Sequence, residues 1–262
     1  MINNIFKGLQ VYSGAYGLIS KLKLWKYFVI PMLISLIVFI LIFVLAYGFS
    51  DNLGGWIASF WPWELGKATM LTISNFIAGI IIFAIGIIMY KHIIMALSSP
   101  FMSPVSEKIE AYYTGKPAEN YTNTTFSKQL ARSIRISIRN LAKELLYTLP
   151  ILILKFIPVV NIFSTALLFL VQAYYAGVSN MDYTLERHFK YRESIAFIKK
   201  HRGLAIGNGI GFLLLLFIPI IGVIMVLPLS ITSASVITVD LLFDDDEGED
   251  IGFTPFQIIE NK

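Results

Sequence analysis

Lys23 and Lys26 stand three residues apart just ahead of a long apolar run. Two ammonium groups beside the unbonded N–H groups of a starting helix can hold a tetrahedral dianion, although lysines at such a point also serve as ordinary interfacial anchors. A larger cationic set follows: Lys128, Arg132, Arg135, Arg139 and Lys143 recur at spacings of three and four. That spacing puts them on one face of a helix whose other face carries Phe126, Leu130, Ile134, Ile138, Leu141 and Leu145. Such a face either meets water and lipid headgroups or lines a solute path. With Glu107, Glu110 and Glu186, the residues Arg132, Arg135 and Arg139 form either an internal network that sets when an anion enters, or surface pairs worth little each. Lys155 is a single charge inside an apolar segment and either reaches the far interface or points into a cavity.

Other chemistry is excluded or unsupported. The chain has no cysteine, so thiolate metal sites, thiol catalysis and disulfides are ruled out. His92, His188 and His201 lack metal-ligand spacing, and Gly177-Val178-Ser179-Asn180-Met181 lacks the second glycine of a nucleophile elbow. No enzyme activity, cofactor or metal is expected. No nucleic-acid-reading module is visible either, and a net charge of +4 with clustered basic residues suits lipid headgroups or anionic solutes better.

The elements that must position these residues are membrane helices. A hydrophobic fraction of 56%, charged residues at only 15% and a mean hydropathy of +0.70 place the chain among integral membrane proteins. The segment 2–20 has helical spacing but too little hydrophobicity to span, and is expected to lie in the interface. Tyr27–Phe49 is nearly uncharged and about 35 Å long as a helix, enough for the roughly 30 Å core, so transmembrane helix 1 is expected over about 27–49. Its start is too long for a signal peptide, and it is expected to be retained. Trp56, Phe60, Trp61 and Trp63 read as an aromatic belt beyond it. A second span is expected over about 69–90, with Gly79 and Gly86 on one face for close helix contact.

At Ser98 to Pro104 two prolines predict a break, where the membrane segment stops and an amphipathic one turns into the cytoplasmic interface. Two later segments share Phe-Ile-Pro, two β-branched residues, then Asn or Gly: Phe156 to Ile162 and Phe217 to Val223. They predict helical hairpins over about 146–180 and 203–242, with arms of which some span and others reach only part of the bilayer. Gly203, Gly207 and Gly211 offer a smooth packing face. The charged stretch 181–202 reads as a cytoplasmic linker, the acidic tail 243–262 as disordered, and 1–242 as one helical membrane domain. Basic residues concentrate in 91–145, whereas the opposite loop has only Lys67, which places both termini in the cytoplasm.

Four features taken together resemble the CysZ-type sulfate transporter family, which shares a domain with the etoposide-induced membrane proteins. They are Leu18-Ile19-Ser20 with Phe28-Val29-Ile30-Pro31, Ser99-Pro100-Phe101 with Glu107-Lys108-Ile109-Glu110 and Thr114-Gly115, Asp182-Tyr183, and the two Ile-Pro hairpins. The resemblance spans about residues 8–242. It implies an all-α oligomer of the inner membrane, with two transmembrane helices and two partly penetrating hairpins, that moves sulfate into the cytoplasm without ATP. It also implies an anion site at Lys23, Trp25 and Lys26, where Lys23 stands at the family's glycine and Trp25 and Lys26 at its two arginines. A non-transporting scaffold that binds anionic lipid is the alternative that the basic helix and hairpins leave open.

Overall fold

The structure is a computed structural model, and it describes residues 1–115, 117, 125–154, 160–218 and 220–247. Among these residues the chain is all helical, with no strand. The elements are α1 (Ile2–Gln10), α2 (Tyr12–Lys21), α3 (Trp25–Ala58), α4 (Lys67–Thr114), α5 (Phe126–Leu154), α6 (Val160–His188), α7 (Tyr191–Lys200), α8 (Arg202–Leu216) and α9 (Ile221–Glu247). Four of them, α3, α4, α6 and the 221–243 part of α9, are long and apolar enough to cross a membrane, which matches the all-α membrane fold class read from the sequence. The chain is a multi-pass membrane protein.

α3 and α4 pack along much of their length as an antiparallel pair, and their outer faces stay apolar: Ile37, Phe43, Tyr47 and Phe76 are all exposed. Of the two expected contact glycines Gly86 is the close one, since a Cβ there would strike the Ile42 side chain, whereas one at Gly79 would make only ordinary contact with Ser50. The other helices close on this pair. α6 and α8 approach each other closely, because a side chain at Gly177 would collide with the Ala205 carbonyl and one at Gly209 with the Ala173 carbonyl. The stripe Gly203, Gly207 and Gly211 turns away from that contact and seats the N-terminal helices, meeting Asn4, Ile5 and the Tyr12 ring. So 2–20 forms two helices rather than one. α1 buries Gly8 on α8, and α2 buries Ala15, Leu18 and Ile19.

The expected break at Ser98 to Pro104 is not there. α4 runs without interruption through Pro100 and Pro104 to Thr114. An interior proline costs about 3 kcal/mol by removing one N–H and crowding the carbonyl four residues back. Packing and hydrogen bonds from neighbouring helices offset that cost. Ser98, Ser99, Met102, Ser103, Val105 and Ser106 are all buried, and the Met95 carbonyl, next to the Ala96 carbonyl that loses its donor, accepts the Tyr183 hydroxyl (2.6 Å) and Ser133 Oγ (3.3 Å). These two bonds also dock α5 and α6 onto α4. The same correction applies to the basic helix and the first hairpin arm, which are one helix, α5, with Pro150 inside.

Residues 181–188 are not an exposed linker. They extend α6, and Met181 to Arg187 are buried. The positive-inside count treats those charges as loop residues, whereas Asp182, Arg187 and His188 are held by partners from other helices. Both hairpins exist as the helix pairs α5/α6 and α8/α9, and the second turns at Ile220, where φ is +62°. The first turn, with Lys155, lies outside the described residues, as does the tail beyond 247.

Candidate functional site

The turn between α2 and α3 places Lys23, Trp25 and Lys26. The Lys23 N–H donates to the Ser20 carbonyl (3.2 Å) and the Leu24 N–H to the Ile19 carbonyl (2.8 Å), the double closure of a helix that ends in a left-handed residue. Lys23 is that residue, with φ +53°. A glycine would hold this conformation without strain, so the lysine costs about 1 kcal/mol there. Leu24 and Ile19, which meet across such a closure, are both fully buried and anchor the turn. Trp25 Nε1 donates to Ser20 Oγ (3.2 Å), and its ring meets Tyr16 edge-on. Lys23 and Lys26 are exposed at the start of α3, whose N-cap residue Leu24 provides no side-chain cap.

This turn lies against the last third of α4. Lys21 Nζ donates to the Tyr112 hydroxyl (2.8 Å), and the ammonium groups of Lys26 and Lys108 stand 5.1 and 6.0 Å from the centre of the Tyr27 ring. Ser106 and Glu110 on the same stretch of α4 face inward and hold Arg187 of α6. Arg187 Nε donates to Ser106 Oγ (3.1 Å) and Nη2 to Glu110 Oε2 (2.5 Å), while His188 Nε2 lies 2.9 Å from the same oxygen. Arg187 is fully buried, and its Nη1 has no hydrogen-bond partner among the described residues. Above it on α6, Thr184 donates to Ser235 (3.1 Å) and Asn180 to Asn208 (2.8 Å), and Asn208 in turn donates to the Ser230 carbonyl (2.9 Å). Asn180, Thr184, Arg187 and Asn208 are all buried, so a file of polar groups runs along α6 inside a molecule with an apolar exterior.

Two further ion pairs flank the file, one partly and one almost fully buried. Arg132 grips Asp182 through Nε (3.2 Å) and Nη2 (2.9 Å), and also donates to the Phe189 carbonyl (2.8 Å) and Ser194 Oγ (2.7 Å). Glu144 of α5 bridges Lys91 Nζ (2.7 Å) and His92 Nε2 (3.1 Å) of α4 with all three side chains almost fully buried.

The charges named from the sequence are therefore divided among several partners. Glu110 pairs with Arg187 and Arg132 with Asp182. Glu186 is buried one turn from Asp182, and Glu107 is 3.4 Å from Ser103 Oγ. Among the described residues Arg135 and Arg139 form no ion pair with Glu107 or Glu110: Arg135 lies over the Tyr191 ring (4.8 Å) and Arg139 donates to Asn140 Oδ1 (3.0 Å). Sequence reasoning missed Arg187, Asp182, Lys91 and Glu144 as members of interior pairs. One signal was present for two of them, since Lys91 and Glu144 sit at the edges of apolar segments where a charge needs a partner.

The architecture and these interior ion pairs define a polytopic helical membrane protein with a polar interior. Residues 12–226 match the family described as Sulfate transporter CysZ/Etoposide-induced protein 2.4, and the chain belongs to that family. It is 26% identical over 251 residues to the Sulfate transporter CysZ of Pseudomonas paraeruginosa (strain DSM 24068 / PA7), covering 92% of this chain and 96% of the relative. The Sulfate transporter CysZ of Pseudomonas fluorescens (strain Pf0-1) is 23% identical over 238 residues, covering 88% and 92% of the two chains.

Proposed function

We propose that this protein moves sulfate or a related small anion across the inner membrane into the cytoplasm. The observation that carries the reading is Arg187: a guanidinium fully buried between membrane helices, neutralised by Glu110 yet with Nη1 open to an acceptor. A buried cation of this kind in a membrane protein marks a solute path, and a planar donor fork suits a tetrahedral oxyanion. Lys23 and Lys26 with the N–H groups that begin α3 form the capture site, and Trp25 holds the turn through Ser20. The stretch 106–112 of α4 then links capture to interior, because one side of it meets the lysine turn and the other holds Arg187. The names of the relatives support sulfate as the anion. Both termini cytoplasmic, partly penetrating hairpins and a homo-oligomer belong to the same reading.

Uptake of radiolabelled sulfate into proteoliposomes tests it. The full chain should give saturable uptake above protein-free vesicles, and Lys23→Ala with Lys26→Ala should raise the half-saturating concentration roughly tenfold, as the loss of one charge-assisted contact would. Absence of uptake, or unchanged kinetics in the double variant, would overturn the proposal.

A further inference from the structure

A second cationic feature lies apart from both the turn and the file. Arg139 and Lys143 of α5, Lys199 at the end of α7 and Arg202 at the start of α8 line one cavity of about 550 Å³. Among the described residues none of the four has a carboxylate partner, and Arg139 bonds only its neighbour Asn140. Four unneutralised cations around one space repel each other, which favours an anionic occupant. Arg202 also opens a helix of fifteen residues whose N-cap His201 provides no side-chain cap, so the positive end of that helix adds to the field.

The rest of the lining is apolar or amphipathic. Leu167, Leu170, Val171 and Ile206 supply apolar lining, and Tyr147, Tyr174 and Tyr175 complete it. The apolar lining runs on into open surface: Leu167 is exposed, and along α5 so are Leu146, Leu149 and Ile153, at 66%, 60% and 68%. In a membrane protein such a surface faces hydrocarbon, so the cavity sits where basic residues give way to the bilayer interior.

We infer that this cavity is a binding site for an anionic phospholipid, with the headgroup phosphate on Arg139, Lys143, Lys199 and Arg202 and an acyl chain along Leu167, Leu170 and Ile206. A free phosphate or sulfate shares the headgroup chemistry but has no use for the apolar lining. A lipid uses both kinds of lining, and in doing so ties α5, α6, α7 and α8 together from outside. The site is separate from the transport reading, and either can fail without the other.

The test uses the purified full chain in a neutral detergent, titrated with dioleoyl phosphatidylglycerol or dioleoyl phosphatidylcholine and read by native mass spectrometry. Phosphatidylglycerol should bind about tenfold more tightly than phosphatidylcholine, and Lys143→Gln with Lys199→Gln should remove about that factor. Lys128→Gln with Arg192→Gln, two exposed cations outside the cavity, should stay within about twofold of the parent. Lys199→Gln alone, at an exposed helix end, keeps the test decisive if the double variant folds poorly, and should weaken binding about threefold. Equal binding of the two lipids, or undiminished binding in both cavity variants, overturns the inference. Inorganic phosphate that binds the parent and displaces phosphatidylglycerol completely at equal concentration also overturns it, since the cavity would then hold a free anion only.

Discussion

The interior cations and the rim cations obey opposite rules. Arg187, Arg132 and Lys91 each have a carboxylate within hydrogen-bonding distance, whereas Arg139, Lys143, Lys199 and Arg202 share a cavity and have none among the described residues. Burial explains the difference. Removing an ion from water costs several kcal/mol, so an interior charge persists only when another helix brings it a counter-charge. A charge at the rim keeps part of its hydration and can wait for a mobile anion. Interior cations therefore hold helices in register through their carboxylates, with Arg187 Nη1 left over as a donor for an acceptor, and rim cations have no counter-charge among the described residues.

This contrast can be broken most severely at Glu110. Glu110→Gln leaves Arg187 as an uncompensated buried charge and is expected to destabilise the protein by about 3–5 kcal/mol, read as a large drop in the thermal midpoint in detergent. Asp182→Asn should cost less, about 2 kcal/mol, because Arg132 is partly exposed and retains the Phe189 carbonyl and Ser194; the same melt checks it. If Lys143→Gln or Lys199→Gln cost as much as these, the rim would be a structural cluster and the contrast would fail. The smallest effect is a gain. Lys23→Gly should stabilise the protein by about 1 kcal/mol by relieving the left-handed strain, while lowering sulfate affinity in the uptake assay if the lysine captures the anion.

Much of the architecture can be read from the residues in order. The apolar runs that become α3, α4, α6 and α9 are visible, as are the two hairpins and the glycine stripe on α8. The break at Pro100 and Pro104 was the wrong reading of a correct local cost. Proline does weaken the helix there, but Tyr183 and Ser133, on helices far away in sequence, bond the Met95 carbonyl one residue from the carbonyl that loses its donor and pack α4 from outside. For the same reason Asp182 to Arg187 looks like a solvated linker in sequence while being buried. No local pattern says that Ser106 and Glu110 wait for that arginine.

Membrane residence, helix type and the sign of each charged cluster follow from the residues alone, because hydropathy and periodicity depend only on side chains and near neighbours. Which carboxylate neutralises which cation, whether a helix survives its prolines, and which lysines and arginines stay unpaired around the α5, α7 and α8 cavity depend on helices that meet only after folding. Those choices turn on burial, and burial belongs to the packed bundle rather than to any one stretch of it.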